Sequence, residues 1–470
     1  MARDQSCNNL NVTSQAATEL ALIYAYPLLA FKQAYLTETP LLGINYLGHS
    51  RQLSTSASDY LVKPNVDTIY STAFYDLSHD DLIVNVPAIP ENQYVLISFH
   101  DLYGDNYAIL GKANITQAGT YCLQYGSKLL GSNCTDCQSG LDTSYRAHIR
   151  SPTTFGFVLI RWLVEDNNTD IIHSLQNATT VKPVPRPLAA AAYNLTESPR
   201  LESVRWNETG FPPAANVLSL LCQVGSANRP GKIAGNSTMD EILSKAGVCA
   251  TSHNITTFNF SAADVSSMAA ANKAGQAATV DINNGWSVVQ SNLTGKFGTD
   301  YGLRMEISET GYLMLEAPDA VYPSWSNGTA TRPMEGELLT LGADESYIYT
   351  FSSKPPLHGL GFWGLTAYDS DGFLISNPLN VSSLGDRSNI TYASGVAVYG
   401  TDRDAEQDEA FQLLIQPADV SPQANWTDNW LPGPSGGGNM TSLLRFFDAA
   451  DQLLNGTYQY PVVTKQQALV

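Results

Sequence analysis

One stretch, Lys63 to Ser78 (KPNVDTIYSTAFYDLS), sets Asn65, Asp67, Thr68 and Tyr70 within six positions. Asp67 could act as a general acid, Tyr70 could polarise a carbonyl, and Asn65 could hold a substrate. The commoner task of Asx side chains at the start of a strand is to cap a turn. His100-Asp101 closes the apolar run Tyr94–Phe99, and Tyr103 and Tyr107 follow. His100 is an acid/base candidate, although a histidine at a strand end is more often a satisfied structural residue. Arg161 and Arg304 each sit inside an apolar segment. A guanidinium there needs an acceptor, supplied by an internal ion pair or by a ligand. Trp363 and Tyr368 lie in a bulky strand and could stack on an aromatic substrate. The candidates are therefore catalytic Asp67, Tyr70, His100 and Arg304, with Asn65, Tyr103, Arg161, Trp363 and Tyr368 contacting substrate.

The elements that must position these groups follow from periodicity. Ser14 to Leu36 reads as a helix, apolar at Leu20, Ile23, Tyr24, Leu28 and Phe31, with a kink at Pro27. Thr68 to Leu77 alternates but is bulky on both faces, with Ile69, Ala73 and Tyr75 on one and Tyr70 and Phe74 on the other, so it is expected to be covered on both sides. Leu82–Val86, Tyr94–Phe99, Tyr107–Leu110 and Phe155–Val164 read as further strands. Between residues 166 and 298, Pro183, Pro185 and Pro187 suggest an extended linker. Helical patterns follow at Ala214–Val224, Met239–Ala246, Ala262–Ala278 and Ile282–Leu293, and Tyr301–Ala317 fits helix or strand. From Glu337 onward short strands dominate: Leu338–Leu341, Ser346–Phe351, Gly361–Tyr368, Gly372–Ile375, Val396–Tyr399, Phe411–Ile415 and Ser442–Phe447. Asp371-Gly372 suits a primed hairpin turn. The expected class is α+β: a β-rich mixed α/β domain over 1–165, a helical middle over 166–298, and an antiparallel jelly-roll-like β-sandwich over 299–470.

Composition narrows the partners. A net charge of −19 and a pI near 4.6 disfavour nucleic acid and anionic membranes. No run of 18 apolar residues exists, so no membrane span is expected. Seventeen of 32 asparagines stand in Asn-x-Ser/Thr sequons: Asn11, Asn114, Asn133, Asn167, Asn177, Asn194, Asn207, Asn236, Asn254, Asn259, Asn292, Asn327, Asn380, Asn389, Asn425, Asn439 and Asn455. Roughly five would arise from the Ser and Thr content alone. The excess points to a glycosylated protein of the eukaryotic secretory pathway. The start, MARDQSCNNLNVT, has no apolar leader, so a mature form with its leader removed is expected. Six cysteines (Cys7, Cys122, Cys134, Cys137, Cys222 and Cys249) suit disulfides in that compartment. Proximity favours Cys222 with Cys249, and Cys122 or Cys7 with the Cys134/Cys137 pair.

Three motifs fail their structural requirements. Gly433-Pro434-Ser435-Gly436-Gly437 matches a nucleophile elbow but lacks the strand–helix flanks. Gly359 to Gly364 matches a dinucleotide fingerprint but leads into a strand rather than a helix. Asp369-Ser370-Asp371-Gly372 is half of a calcium loop with no closing Glu. The seven histidines show no ligand spacing. No cofactor and no metal are expected.

Two blocks carry a family resemblance. The run from KPNVDTIYSTAFYDLS through LISFHDLYGDNYAILG to IRSPTTFGFVLIRWLV resembles the DUF1254 family. FGTDYGLRMEIS, GFWGLTAYDSDGFLISNPLN, SLGDRS and ANWTDNWLPGP resemble DUF1214. The resemblance implies the same three-part fold and assigns no general activity. Its recurrent polar positions fall on Asn65, Asp67, Thr68, Tyr70, Arg161, Arg304, Trp363, Tyr368, Asp371, Gly385, Asp386 and Arg387. Val381-Ser382 departs from the usual Arg-Tyr, and the sequon density resembles that of a secreted fungal member. The expected function is a cofactor-free enzyme that holds a small hydrophobic or aromatic substrate in an apolar pocket. A cyclase or pericyclase of fungal natural-product biosynthesis, of hetero-Diels–Alder or dehydration type, would need no more. A secreted glycoside or ester hydrolase using Asp67, Asp101 or Asp371, and a non-catalytic binding glycoprotein, are the alternatives. A homodimer is admitted. The deciding observation is whether Asp67 and Tyr70 face a cavity near Arg304 and Trp363 or bind their own backbone.

Overall fold

A computed structural model describes residues 14–470 except 58–61, 112–116, 127–143, 166–167, 187–197, 207–212, 226–227, 229–236, 249–259, 328–335 and 401–408. The fold is mixed α+β and strand-rich, with several antiparallel sheets and few helices. Two helices open it, α1 (Ser14–Ala25) and α2 (Pro27–Leu42). The break falls at Tyr26, because proline has no amide to donate and suits the first position of a helix.

Nine strands follow: β1 (Gly48–His49), β2 (Thr68–Asp76), β3 (Asp80–Val86), β4 (Val95–Asp101), β5 (Asn106–Gly111), β6 (Gly119–Tyr125), β7 (Ala147–Ser151), β8 (Phe155–Leu163) and β9 (Thr180–Pro185), with α3 (Asp170–Ala178) before the last. They form two sheets, β1-β2-β8-β4-β5 and β7-β6-β3-β9. The first sheet is covered on both faces, as the doubled bulk of β2 requires. Ile69, Ala73 and Tyr75 pack with Leu82, Val84, Tyr121 and Leu123 of the second sheet. Phe74, with Phe157 of β8, packs against α1, α2 and α4 (Pro213–Val224) on the other face. The expected linker at Pro183 and Pro185 is strand β9, laid antiparallel on β3. Pro187 lies outside the described residues.

The middle holds α5 (Ser237–Lys245) and α6 (Phe260–Ala278). The helix expected over Ile282–Leu293 is instead a hairpin, β10 (Thr279–Asp281) and β11 (Trp286–Val289). Asn284 and Gly285 both have positive φ (52° and 81°), the geometry of a type I′ turn. After α7 (Tyr301–Thr310) come β12 (Ala320–Val321), β13 (Ser324–Trp325), β14 (Leu339–Leu341), β15 (Glu345–Phe351), β16 (Leu357–Asp369), β17 (Ser383–Gly385), β18 (Phe411–Pro417), β19 (Trp430–Gly433), β20 (Gly438–Ala449), α8 (Asp451–Leu454) and β21 (Val462–Gln467). One sheet runs β12-β20-β16-β17 with β14 on β20; another runs β19-β18-β15-β21. They share a core around Trp286, Tyr349, Phe351, Trp363, Phe411 and Phe446. Gly372–Ile375 and Val396–Tyr399, expected as strands, contribute only the isolated bridges Tyr368–Leu374 and Thr391–Ala397. At Asp371-Gly372 only the glycine has positive φ (85°), so the turn is not of the primed type.

Candidate active site

The strongest concentration of unsatisfied polar groups surrounds Arg304. Asp300 caps α7 by accepting the Leu303 amide at 3.0 Å, which sets the helix so that Arg304 points into the protein. Arg304 is 1% exposed. Its guanidinium lies 5.0 Å from the ring centres of Tyr103 and Tyr301 and 5.7 Å from that of Tyr24. Each such contact is worth about 0.5–2 kcal/mol. Yet Nε, Nη1 and Nη2 make no hydrogen bond, and the nearest carboxylate oxygen, Asp105 Oδ2, is 3.8 Å away. A buried guanidinium normally fills its donor fork, so this one has capacity for an incoming acceptor.

The turn after β4 brings an acid to the same place. Asp101 Oδ1 accepts the amides of Tyr103 (2.8 Å) and Asp105 (3.0 Å), while Oδ2 has no partner. Burial, reinforced by the charge of Asp105, pushes the Asp101 carboxyl up to about 8 against the pull of Arg304. Burial also raises Asp105. Asp101 is thus protonated at neutral pH, and its Oδ2 hydroxyl can donate. Burial holds His100 down to about 3, so its imidazole is neutral, with Nε2 unpartnered. The Tyr312 hydroxyl is also unpartnered, and burial pushes its pKa well up. Tyr103 donates to the Asn228 carbonyl at 2.6 Å, fixing its ring beneath Arg304. A cation, a neutral acid and aromatic walls together suit a carbonyl oxygen on an otherwise apolar molecule.

The other candidates gather at the seam between the N-terminal sheet and β16–β20. Asn65 Oδ1 accepts the Asp67 amide at 2.6 Å, and the Tyr70 hydroxyl accepts the Asn65 amide at 3.2 Å. Asp67 pairs with Arg387 Nη2 at 2.8 Å; Arg387 Nη1 binds Asp386 at 2.6 Å, and its guanidinium lies 4.6 Å from the centre of Phe362. Tyr368 donates to the Pro64 carbonyl at 2.7 Å, and Arg445 reaches both Tyr368 Oη (2.6 Å) and the Lys63 carbonyl (2.7 Å). The Asn65–Tyr70 segment therefore meets the Gly361–Tyr368 strand by direct bonds, and this group does not include Arg304. Arg161 is buried on β8 beside Ser98, whose Oγ lies 3.4 Å from Nη1. Trp363 joins neither group: its indole is buried in the C-terminal core and donates to Tyr399 at 2.9 Å. Asp371 is exposed on the Asp369–Gly372 turn, so the three carboxylates considered for hydrolysis occupy three separate settings.

The sequence reading missed Tyr24, Asp105, Tyr301 and Tyr312 at the Arg304 site and Arg445 at the seam. Arg445, inside the apolar strand Ser442–Phe447, carried the same signal as Arg161. Tyr24 and Tyr301 are indistinguishable in sequence from ordinary helix core. Cys222 is disulfide-bonded; Cys249, the expected partner, lies outside the described residues, as do Cys7, Cys134 and Cys137. Cys122 is buried on β6. Among the described residues no group of three His, Cys, Asp or Glu side chains is arranged to hold a metal, and no helix is long and apolar enough to cross a membrane.

Two family models match, both described as proteins of unknown function: DUF1254 over residues 44–183 and DUF1214 over 328–465. The chain thus carries a DUF1254 and a DUF1214 domain. Among solved structures it is similar to the VPA0106 protein from Vibrio parahaemolyticus, at 16% identity and TM-score 0.62, covering 97% of this chain and 100% of that one. An uncharacterized protein from Burkholderia cenocepacia matches at 10% identity and TM-score 0.44, over 97% of this chain and 94% of that one. The Vibrio likeness establishes the fold alone. No curated protein matches the chain.

Proposed function

We propose that this protein is an enzyme that needs no cofactor and acts on a small hydrophobic or aromatic molecule at the Arg304 site. The observation that carries the reading is a guanidinium 1% exposed, ringed by three tyrosines, with all three nitrogens lacking a hydrogen-bond partner. Arg304 and the protonated Asp101 would both donate to a substrate carbonyl oxygen. That withdraws electron density from a conjugated enone and lowers the barrier to a cyclisation such as a hetero-Diels–Alder addition. With a hydroxylated substrate, Asp101 would protonate the departing hydroxyl in a dehydration. The tyrosine rings would hold the reactants in a productive conformer. Asp101, His100 and Arg304 take the catalytic roles, and Tyr24, Tyr103 and Tyr301 contact substrate.

The sequon density and acidic pI support a secreted, glycosylated protein, and a fungal source fits that pattern. The C-terminal pair of sheets around one core supports a β-sandwich of jelly-roll type. One observation favours a second reading, a non-catalytic binding glycoprotein: the seam at Asp67–Arg387 is closed by direct bonds. The deciding experiment incubates the purified protein with a metabolite extract of cells lacking the gene and follows it by mass spectrometry. Appearance of a product isomeric with, or one water lighter than, a consumed metabolite supports the enzyme. Retention of a metabolite without conversion favours the binding protein.

A further inference from the structure

The described residues include eight sequon asparagines: Asn177, Asn292, Asn327, Asn380, Asn389, Asn425, Asn439 and Asn455. All eight are exposed. Of the 13 described asparagines outside sequons, only three are exposed: Asn92, Asn168 and Asn284. Eight drawn at random from these 21 would all be exposed roughly once in a thousand draws, so the motif and the surface are associated. A second contrast concerns the atom that would be modified. Eight of the 13 others donate through Nδ2 to the protein: Asn45, Asn85, Asn106, Asn228, Asn283, Asn284, Asn377 and Asn429. None of the eight sequon side chains does. Where they bond the protein they use Oδ1: Asn177 accepts from Arg51, Asn439 from Thr340 and Asn455 from Thr457. An asparagine that carries a glycan must keep its amide nitrogen uncommitted and its side chain in water, because the attached sugar is large and strongly hydrated.

We infer that these eight asparagines carry N-linked glycans in the mature protein. The inference rests on the secretory-pathway reading and adds to it the positions. In each case the Asn Nδ2 displaces the pyrophosphate of a lipid-linked oligosaccharide at the anomeric carbon. The C–O bond breaks, the C–N bond forms, and one amide proton is released. The layout also bears on the site. Residues 12–113 contain five asparagines (Asn45, Asn65, Asn85, Asn92 and Asn106), none in a sequon. That run supplies Tyr24, His100, Asp101, Tyr103 and Asp105, so the wall of the Arg304 site contributed by this run bears no sugar.

The test expresses the chain behind a borrowed leader in a eukaryotic secretory host. Glycans are then released enzymatically in heavy-oxygen water, which tags each formerly occupied Asn as a heavy Asp, and peptides are read by mass spectrometry. Tags on a majority of the eight, with none on Asn92, Asn168 or Asn284, is the expected result. Tags on half or fewer would overturn the inference. Because the leader is borrowed, this outcome is independent of where the chain goes in its own cell. Fractionation of the source organism tests that separately, and an intracellular location there would sink the secretory reading alone. Enzymatic deglycosylation should leave the melting temperature within error, since Nδ2 supports no bond in the fold.

Discussion

Replacing Asp101 by Asn makes a sharp test of the buried acid. Asparagine keeps the oxygen that accepts the Tyr103 and Asp105 amides and stands in for the protonated carboxyl. In the native chain the carboxyl is pushed from 3.8 to about 8. The folded state therefore holds the proton more tightly than the unfolded chain does. Its stabilising contribution is complete below the unfolded pKa and is lost as pH climbs through the folded one. The slope is about 1.4 kcal/mol per pH unit across that window. Between pH 5 and pH 8 the native protein should lose on the order of 3 kcal/mol that D101N keeps, with Asp105 sharing the same proton. Urea unfolding at both pH values, followed by tryptophan fluorescence, reads the difference; the subtraction removes the background from the chain's other carboxylates. Parallel pH dependences for the two proteins would refute a protonated Asp101, and with it the acid in the proposed mechanism.

Three further outcomes follow from the geometry. Arg304→Met should leave stability within about 1 kcal/mol or raise it, because the guanidinium makes no hydrogen bond and burying it is costly; a loss of 3–5 kcal/mol would mark it as a structural ion pair. Arg387→Ala should cost about 3 kcal/mol in urea unfolding, since it leaves Asp67 and Asp386 facing each other unpaired at the seam; a change near zero would show that the seam does not depend on this triad. Gly156→Ala should abolish or badly impair folding, because a Cβ there would overlap the Tyr75 hydroxyl and the His100 carbonyl, where Tyr75 also binds Tyr107 and Ser151; a native-like circular dichroism spectrum and melting temperature would contradict this.

Local chemistry made much of the fold legible. Pro27 announces its helix break because a proline cannot donate to the preceding turn, and β2 announces two covers because both of its faces are bulky. The hairpin at Asn284-Gly285 was equally visible as an Asn-Gly turn signal, but apolar spacing over Ile282–Leu293 also fits a helix, and pairing with β13 decides for strand. The site was half legible. His100, Tyr103 and Arg304 stand out as polar or phenolic groups in apolar runs. Their assembly with Tyr24, Asp105 and Tyr301 depends on α1 and α7 packing against the turn after β4, a contact among residues nearly 300 positions apart in the chain. Nor does spacing reveal that Asp67 and Tyr70 serve the seam rather than that site. The deciding partners, Arg387 and Arg445, arrive from the far end of the sequence.

The central claim is that Arg304 awaits a substrate oxygen. The measurement that reaches it most directly compares metabolite profiles of the source organism carrying the native gene, the R304M gene and no gene, with protein levels matched by immunoblot. The account predicts that R304M, folded and present at native abundance, reproduces the profile of the strain with no gene. A native profile from R304M would contradict it.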